Sequence, residues 1–173
     1  MPSDPDSRLL LLMRHGKADS AQDPDHEREL TDRGRTQARM TGEYLESQGV
    51  RPTRVLVSDA VRTRETWESV LASMPGFDGT VDFLPEIYEG GPAEVLDLVR
   101  ATDDAEHVVM VIGHEPTMAS LTHGLAAEDS DPGSVAQTRI GLPTGALCVL
   151  SGSVPHWSDL GEESLTLHTV VRG

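Results

Sequence analysis

Basic residues are scarce in this sequence. It holds 14 lysines and arginines against 29 aspartates and glutamates, a net charge of −15 over 173 residues. So acidic a chain is a poor match for a nucleic-acid backbone or an anionic membrane surface, and at first sight for any phosphorylated substrate. Aromatic residues make up only 3%, so aliphatic side chains and alanine must fill the core. Cys148 is the single cysteine; an intrachain disulfide is excluded, and its place in the apolar run 146–150 marks it as core filler. The apolar run 9–13 is too short for a signal segment or a membrane span, and acidic residues precede it. A cytoplasmic protein is expected. No Gly-x-x-x-x-Gly-Lys-Ser/Thr loop is present, which argues against a P-loop enzyme. No Gly-x-Ser-x-Gly elbow is present, which argues against Ser58 as a hydrolase nucleophile. The length suits one domain, expected over residues 8–173, behind a loose tail at 1–7 that carries two prolines and two aspartates.

What is there alternates. A buried strand is expected at 9–13, a polar loop at 19–29, and a helix capped by Thr31 and stopped at Gly49. A strand at 54–57 leads into a helix reaching Met74, with Val61, Trp67, Val70, Leu71 and Met74 on one side. A strand at 80–84 precedes a helix opened by Pro92, with Val95, Leu96, Leu98 and Val99 as its apolar face. A strand at 107–112 precedes a helix at 116–125. The polar stretch 126–138 reads as a surface loop, and 146–150 and 165–171 as two last strands. This order predicts an α/β three-layer sandwich, a central mostly parallel sheet flanked by helices. The last pair is too close in sequence for a helical crossover and is expected to be partly antiparallel.

Three polar clusters fall just after strands: Arg14-His15-Gly16, Ser58 to Arg62, and Gly113-His114-Glu115. In an open parallel sheet ligands bind beyond the carboxyl ends of the strands, so the clusters are expected to meet at one rim. Two arginines offer planar, permanently charged forks that suit phosphate oxygens. One neutral imidazole can attack phosphorus, and a second can stabilise the transferring group. The helix start near residues 60–62 would add backbone N–H donors. Arginines beside the histidines oppose a cation, so no metal and no cofactor are expected. Gly16 suits either a turn or the close approach of a phosphate.

The three clusters, with their neighbours, resemble the histidine phosphatase superfamily. The opening motif is Leu12-Met13-Arg14-His15-Gly16-Lys17-Ala18, followed by Leu30-Thr31-x-x-Gly34-x-x-Gln37-Ala38. Ser58-Asp59-Ala60-Val61-Arg62-Thr63-Arg64-Glu65-Thr66 and Gly113-His114-Glu115-Pro116-Thr117 complete the set. The residues after Gly16 are most similar to the small SixA-type phosphohistidine phosphatase branch. The resemblance implies a phosphoglycerate-mutase-like fold, with His15 as a transiently phosphorylated nucleophile and Arg14, Arg62 and His114 on the phosphoryl group. Glu115 departs from the Asn frequent at its place and is expected to point away or to hold an arginine. By analogy with larger relatives, Glu86 is the candidate general acid and Asp19 a second choice. Gly16, Lys17 and Arg64 are candidate substrate contacts. His26, His107, His123, His156 and His168 are read as surface or structural.

Short connections imply an open site. The expected activity is removal of phosphate from phosphohistidine in a protein, with inorganic phosphate as product. A phosphomonoesterase for small phosphate esters is the alternative, and a non-catalytic phosphate-binding adaptor a third reading. Arg14, Lys17, Arg62 and Arg64 should together form a positive pocket in an acidic body.

Overall fold

In a computed structural model of the chain, residues 4–20 and 24–173 are described. The elements are β1 (Ser7–Arg14), α1 (Asp32–Ser47), β2 (Arg54–Ser58), α2 (Val61–Ala72), β3 (Thr80–Leu84), α3 (Pro85–Glu89), α4 (Pro92–Arg100), β4 (Val108–Gly113), α5 (Thr117–Leu125), α6 (Pro132–Ile140), β5 (Leu147–Ser153) and β6 (Thr166–Val171). Single 3-10 turns lie at Asp25–Glu27 and Trp157–Asp159.

The strands form one sheet in the order β3-β2-β4-β1-β5-β6. β3, β2, β4 and β1 are mutually parallel. β5 runs antiparallel to both β1 and β6, as the short connection requires. Side chains along β1 alternate between faces with the period of a strand. Leu11 and Met13 pack with Ala38 and Leu45 of α1 and Trp67 and Val70 of α2. Leu10 and Leu12 pack on the other face with Val95 of α4 and Met118 and Leu121 of α5. The result is the expected three-layer sandwich. Cys148 lies in the second of these cores, fully buried, and burial pushes its thiol up to about 12.

Register places the site. Arg14 of β1 sits opposite Gly113 of β4, and Val57 of β2 opposite Ile112. His15, Ser58 and His114 therefore leave the sheet at one level, on the same rim.

Some boundaries differ from expectation, each for a local reason. β1 starts at Ser7, and residues 4–7 form a turn in which the Ser7 amide donates to the Asp4 carbonyl. That part of the expected tail is therefore bound to the sheet; residues 1–3 lie outside the described residues. The strand extends because Arg8, 2% exposed, donates to the carbonyls of Val154, Asp104, Glu106 and Pro155. α2 ends at Ala72, with Leu71 at 37% exposure, so its buried side is carried by Trp67 and Val70.

The expected loop at 126–138 contains the start of α6. Asp131 caps it by accepting the Ser134 amide, and Pro132 occupies its first turn. The helix buries only Ser134 and Thr138, so its apolar pattern is faint. Among the described residues no helix is long and apolar enough to cross a membrane.

One contact sets the position of the loop after β1. A Cβ on Gly16 would lie 2.5 Å from the Gly34 carbonyl oxygen, and one on Gly34 would collide with the Lys17 carbonyl oxygen. The loop and the first turn of α1 thus meet backbone to backbone. Thr31 anchors the junction, capping Gly34 and donating its hydroxyl to Lys17. Gly34→Ala is expected to cost roughly 3 kcal/mol of stability, read as a lowered urea midpoint; a midpoint within error of the parent would show that the two backbones can separate.

Candidate active site

The rim carries a pocket of about 210 Å³ lined by Arg14, His15, Lys17, Ala18, Arg28, Arg62, His114, Glu115 and Thr144. Its floor is His15, 6% exposed. The backbone of His15 is held at both ends: its amide donates to the Gly113 carbonyl and its carbonyl accepts from the Gly145 amide. Its ring Nδ1 lies 2.7 Å from the Gly16 carbonyl oxygen. A carbonyl only accepts, so Nδ1 carries the proton and Nε2 keeps its lone pair. Burial, then Arg62 and Arg14, push the imidazole down to about 4 against the opposing Gly16 bond. The ring is therefore neutral at physiological pH.

His114, at the end of β4, stands beside it with ring centroids 5.4 Å apart. Burial first, then Arg62 and His15, bring it down to about 3. Arg62, 5% exposed, projects from the first turn of α2. It donates to the Asp25 carbonyl at 2.7 Å and the Asp25 carboxylate at 3.1 Å. Arg14 donates to the Leu142 carbonyl at 2.7 Å. Among the described residues, the buried Nε atoms of both arginines have no hydrogen-bond partner.

Among the expected contacts, Arg14, His15, Lys17, Arg62 and His114 come together. Three do not. Arg64 is exposed, donates to the Asp59 carbonyl and lies over the Phe83 ring. Gly16 spends its amide on Thr66 Oγ1 at 3.1 Å, so it offers an anion nothing; it is glycine because of Gly34. Glu86 is exposed on α3 and is not among the pocket residues. Asp19 is also exposed and outside the pocket lining. Of the α2 start, only the Arg62 side chain lines the pocket. Glu115 faces the pocket but holds no arginine. Its two oxygens accept the amides of Ala119 and Leu142 at 2.8 and 3.0 Å.

Other residues enter unannounced. From the segment read as a plain loop, Arg28 lines the pocket and pairs with Asp25. Asp25 also accepts the Tyr88 hydroxyl at 2.7 Å; that bond and the two arginines hold its carboxyl down at about 2. Tyr88 packs edge-on against His114 and His26, and His26 bonds Asp59 at 3.0 Å. So His26 belongs to the rim. The segment after β3 does reach the site, through Tyr88 rather than Glu86. A search for a carboxylate there passes over the tyrosine two residues on.

Residues 10–91 match the family model described as histidine phosphatase superfamily (branch 1). A structure of a candidate phosphohistidine phosphatase SixA from Nakamurella multipartitia superposes with a TM-score of 0.83 at 32% identity, covering 95% of each chain. The chain belongs to the histidine phosphatase superfamily. Within it, the chain lies with the SixA-like branch: the protein histidine phosphatase SixA complexed with tungstate superposes at a TM-score of 0.73 and 25% identity, over 95% of this chain and 96% of that one. An uncharacterised protein of Mycobacterium tuberculosis is 30% identical over 151 residues, 86% of this chain and 91% of the relative. The family together with its SixA-like neighbours supports phosphatase activity.

For this histidine phosphatase, the His15 ring is expected to stay neutral, with the proton on Nδ1, from pH 8 down to about pH 5, and to titrate near 4. Ring nitrogen chemical shifts followed by NMR would check it; a midpoint at the ordinary histidine value, about 6.5, would contradict the buried, arginine-flanked environment.

Proposed function

We propose that the protein removes the phosphoryl group from phosphohistidine in another protein, through a phosphorylated His15. The lone pair of His15 Nε2 forms a bond to phosphorus. The substrate imidazole carries a proton from solvent on its other ring nitrogen; its bond to phosphorus breaks, the electron pair returns to the ring, and neutral imidazole leaves. Water then attacks the phosphorus of phospho-His15; the electron pair returns to Nε2, the water proton goes to solvent and inorganic phosphate leaves. Arg14 and Arg62 carry the charge of the transferring group, with Lys17 and Arg28 at the mouth. No step calls for a metal.

The observation that carries the choice of substrate is the state of the nearby carboxyl groups. An alkoxide is a poor leaving group and needs a positioned acid, a contribution of about a hundredfold or more. Asp25 is held ionised by Tyr88 and two arginines. Both oxygens of Glu115 already accept backbone amides. Glu86 is exposed outside the pocket lining. Among the described residues no carboxyl is free to donate a proton over His15. Imidazole leaves phosphorus without that help. The pocket is also open enough to receive a side chain projecting from a folded partner, and the SixA relatives bear names of that activity.

A leaving-group series decides between this and the phosphomonoesterase reading. The expected order is phosphohistidine protein, then p-nitrophenyl phosphate, then alkyl phosphates slower by about a hundredfold or more in kcat. Alkyl esters turned over as fast as phosphohistidine would overturn the proposal and imply a proton donor.

A further inference from the structure

Ser58 is completely buried at the end of β2, and its Oγ lies 2.7 Å from His114 Nε2. The other ring nitrogen, Nδ1, lies 3.3 Å from the Arg62 guanidinium. A guanidinium has only donors, so that contact requires an unprotonated Nδ1. The proton of the neutral ring is therefore on Nε2, and Ser58 Oγ accepts it. The serine is in turn fixed from its own backbone, where the Ser58 carbonyl accepts the Thr63 hydroxyl at 2.7 Å.

From this geometry we infer that Ser58 is a positioning residue: with Arg62 setting the tautomer, Ser58 accepts the Nε2 proton and holds the ring so that Nδ1 faces the pocket and is the atom left to take up a proton when a phosphoryl group binds. The inference rests on the proposed phosphoryl site. An incoming phosphoryl oxygen meets a lone pair at Nδ1, and two acceptors repel. The contact becomes attractive when one proton enters at Nδ1 from solvent. The ring then donates through Nδ1 to the phosphoryl oxygen while Nε2–H remains on Ser58. Arg62 gives up the lone pair and turns its donors to the phosphate.

The charged and titratable groups around the ring are His15 and Arg14 from the end of β1, Lys17 beyond it, Arg62 of α2, Asp25, His26 and Arg28 of the 3-10 segment, Tyr88 of α3, and the adjacent Glu115. Burial first, and then the cations, keep the free ring neutral, and a bound dianion offsets the cations. Ser58 differs from all of these in holding the one ring nitrogen that does not take part.

Two measurements test it. In the free protein, nitrogen-15 NMR should place His114 in the Nε2–H form, and Ser58→Ala should shift the Nε2 resonance by loss of its acceptor while the tautomer set by Arg62 stays. Because the first measurement needs no ligand, a wild-type ring in the Nδ1–H form would overturn the inference without touching the phosphatase reading. Calorimetry with inorganic phosphate at about pH 8, in buffers of different ionisation enthalpy, should report uptake of about one proton per phosphate bound. Affinity should drop about tenfold in Ser58→Ala. Should Ser58→Ala not fold, Ser58→Cys keeps the volume with a weak acceptor and should reproduce the loss. Phosphate binding with no proton uptake, or unchanged uptake and affinity in the variants, would overturn the role of Ser58. Absence of any phosphate binding to the wild type would overturn the underlying reading of the pocket.

Discussion

The His15 loop lies against the first turn of α1 with no atom to spare between the two backbones, and the rest of the site is arranged around that contact. With Gly16 and Gly34 this close, the loop amides find partners inside the protein: Gly16 on Thr66 Oγ1 and Lys17 on Gln37 Oε1. The Gly16 carbonyl turns the other way and takes the proton of His15 Nδ1. One close approach thus fixes the loop, the tautomer and the direction of the free lone pair. It also removes these two backbone amides as anion ligands. Side chains must then carry the charge of a phosphoryl group, and four cations line the pocket: Arg14, Lys17, Arg28 and Arg62.

A net charge of −15 is compatible with such a site because charge acts locally. At physiological salt the screening length is about 8 Å, so acids elsewhere on the surface have little effect at the pocket. The acids that do approach it are employed. Asp25 binds two arginines and Tyr88, and Glu115 holds α5 to the loop before β5 through the Ala119 and Leu142 amides. The Leu142 carbonyl in turn holds Arg14, so Glu115 acts on the arginine through the backbone. Neither carboxylate is placed as a proton donor, which supports the proposed phosphohistidine substrate, whose leaving group needs none.

The layered fold was legible because the central strands are apolar on both faces and the helices between them carry plain caps, as at Thr31 and Pro92. The convergence of Arg14, His15, Arg62 and His114 was legible because parallel strands deliver their carboxyl ends to one rim. What escaped was polar and short. α6 buries two small polar residues, so its Asp131-Pro132 start went unread inside a polar stretch. Arg28 and His26 reach the rim from a 3-10 turn that has no hydrophobic period. Arg64 looked like a pocket residue because it is two positions from Arg62, yet on a helix such a spacing points side chains to different faces. The pairing of Ser58 with His114 joins residues on separate strands and appears only once the register of β2 and β4 is known.

The central claim is that the phosphoryl group passes through His15. Rapid mixing with a labelled phosphohistidine protein, an alkaline quench within the first turnover and peptide mapping would test it most directly. The account predicts label on the peptide containing His15, and neither label nor turnover in His15→Ala. Turnover by His15→Ala at the parental rate, or label confined to another residue, would contradict it.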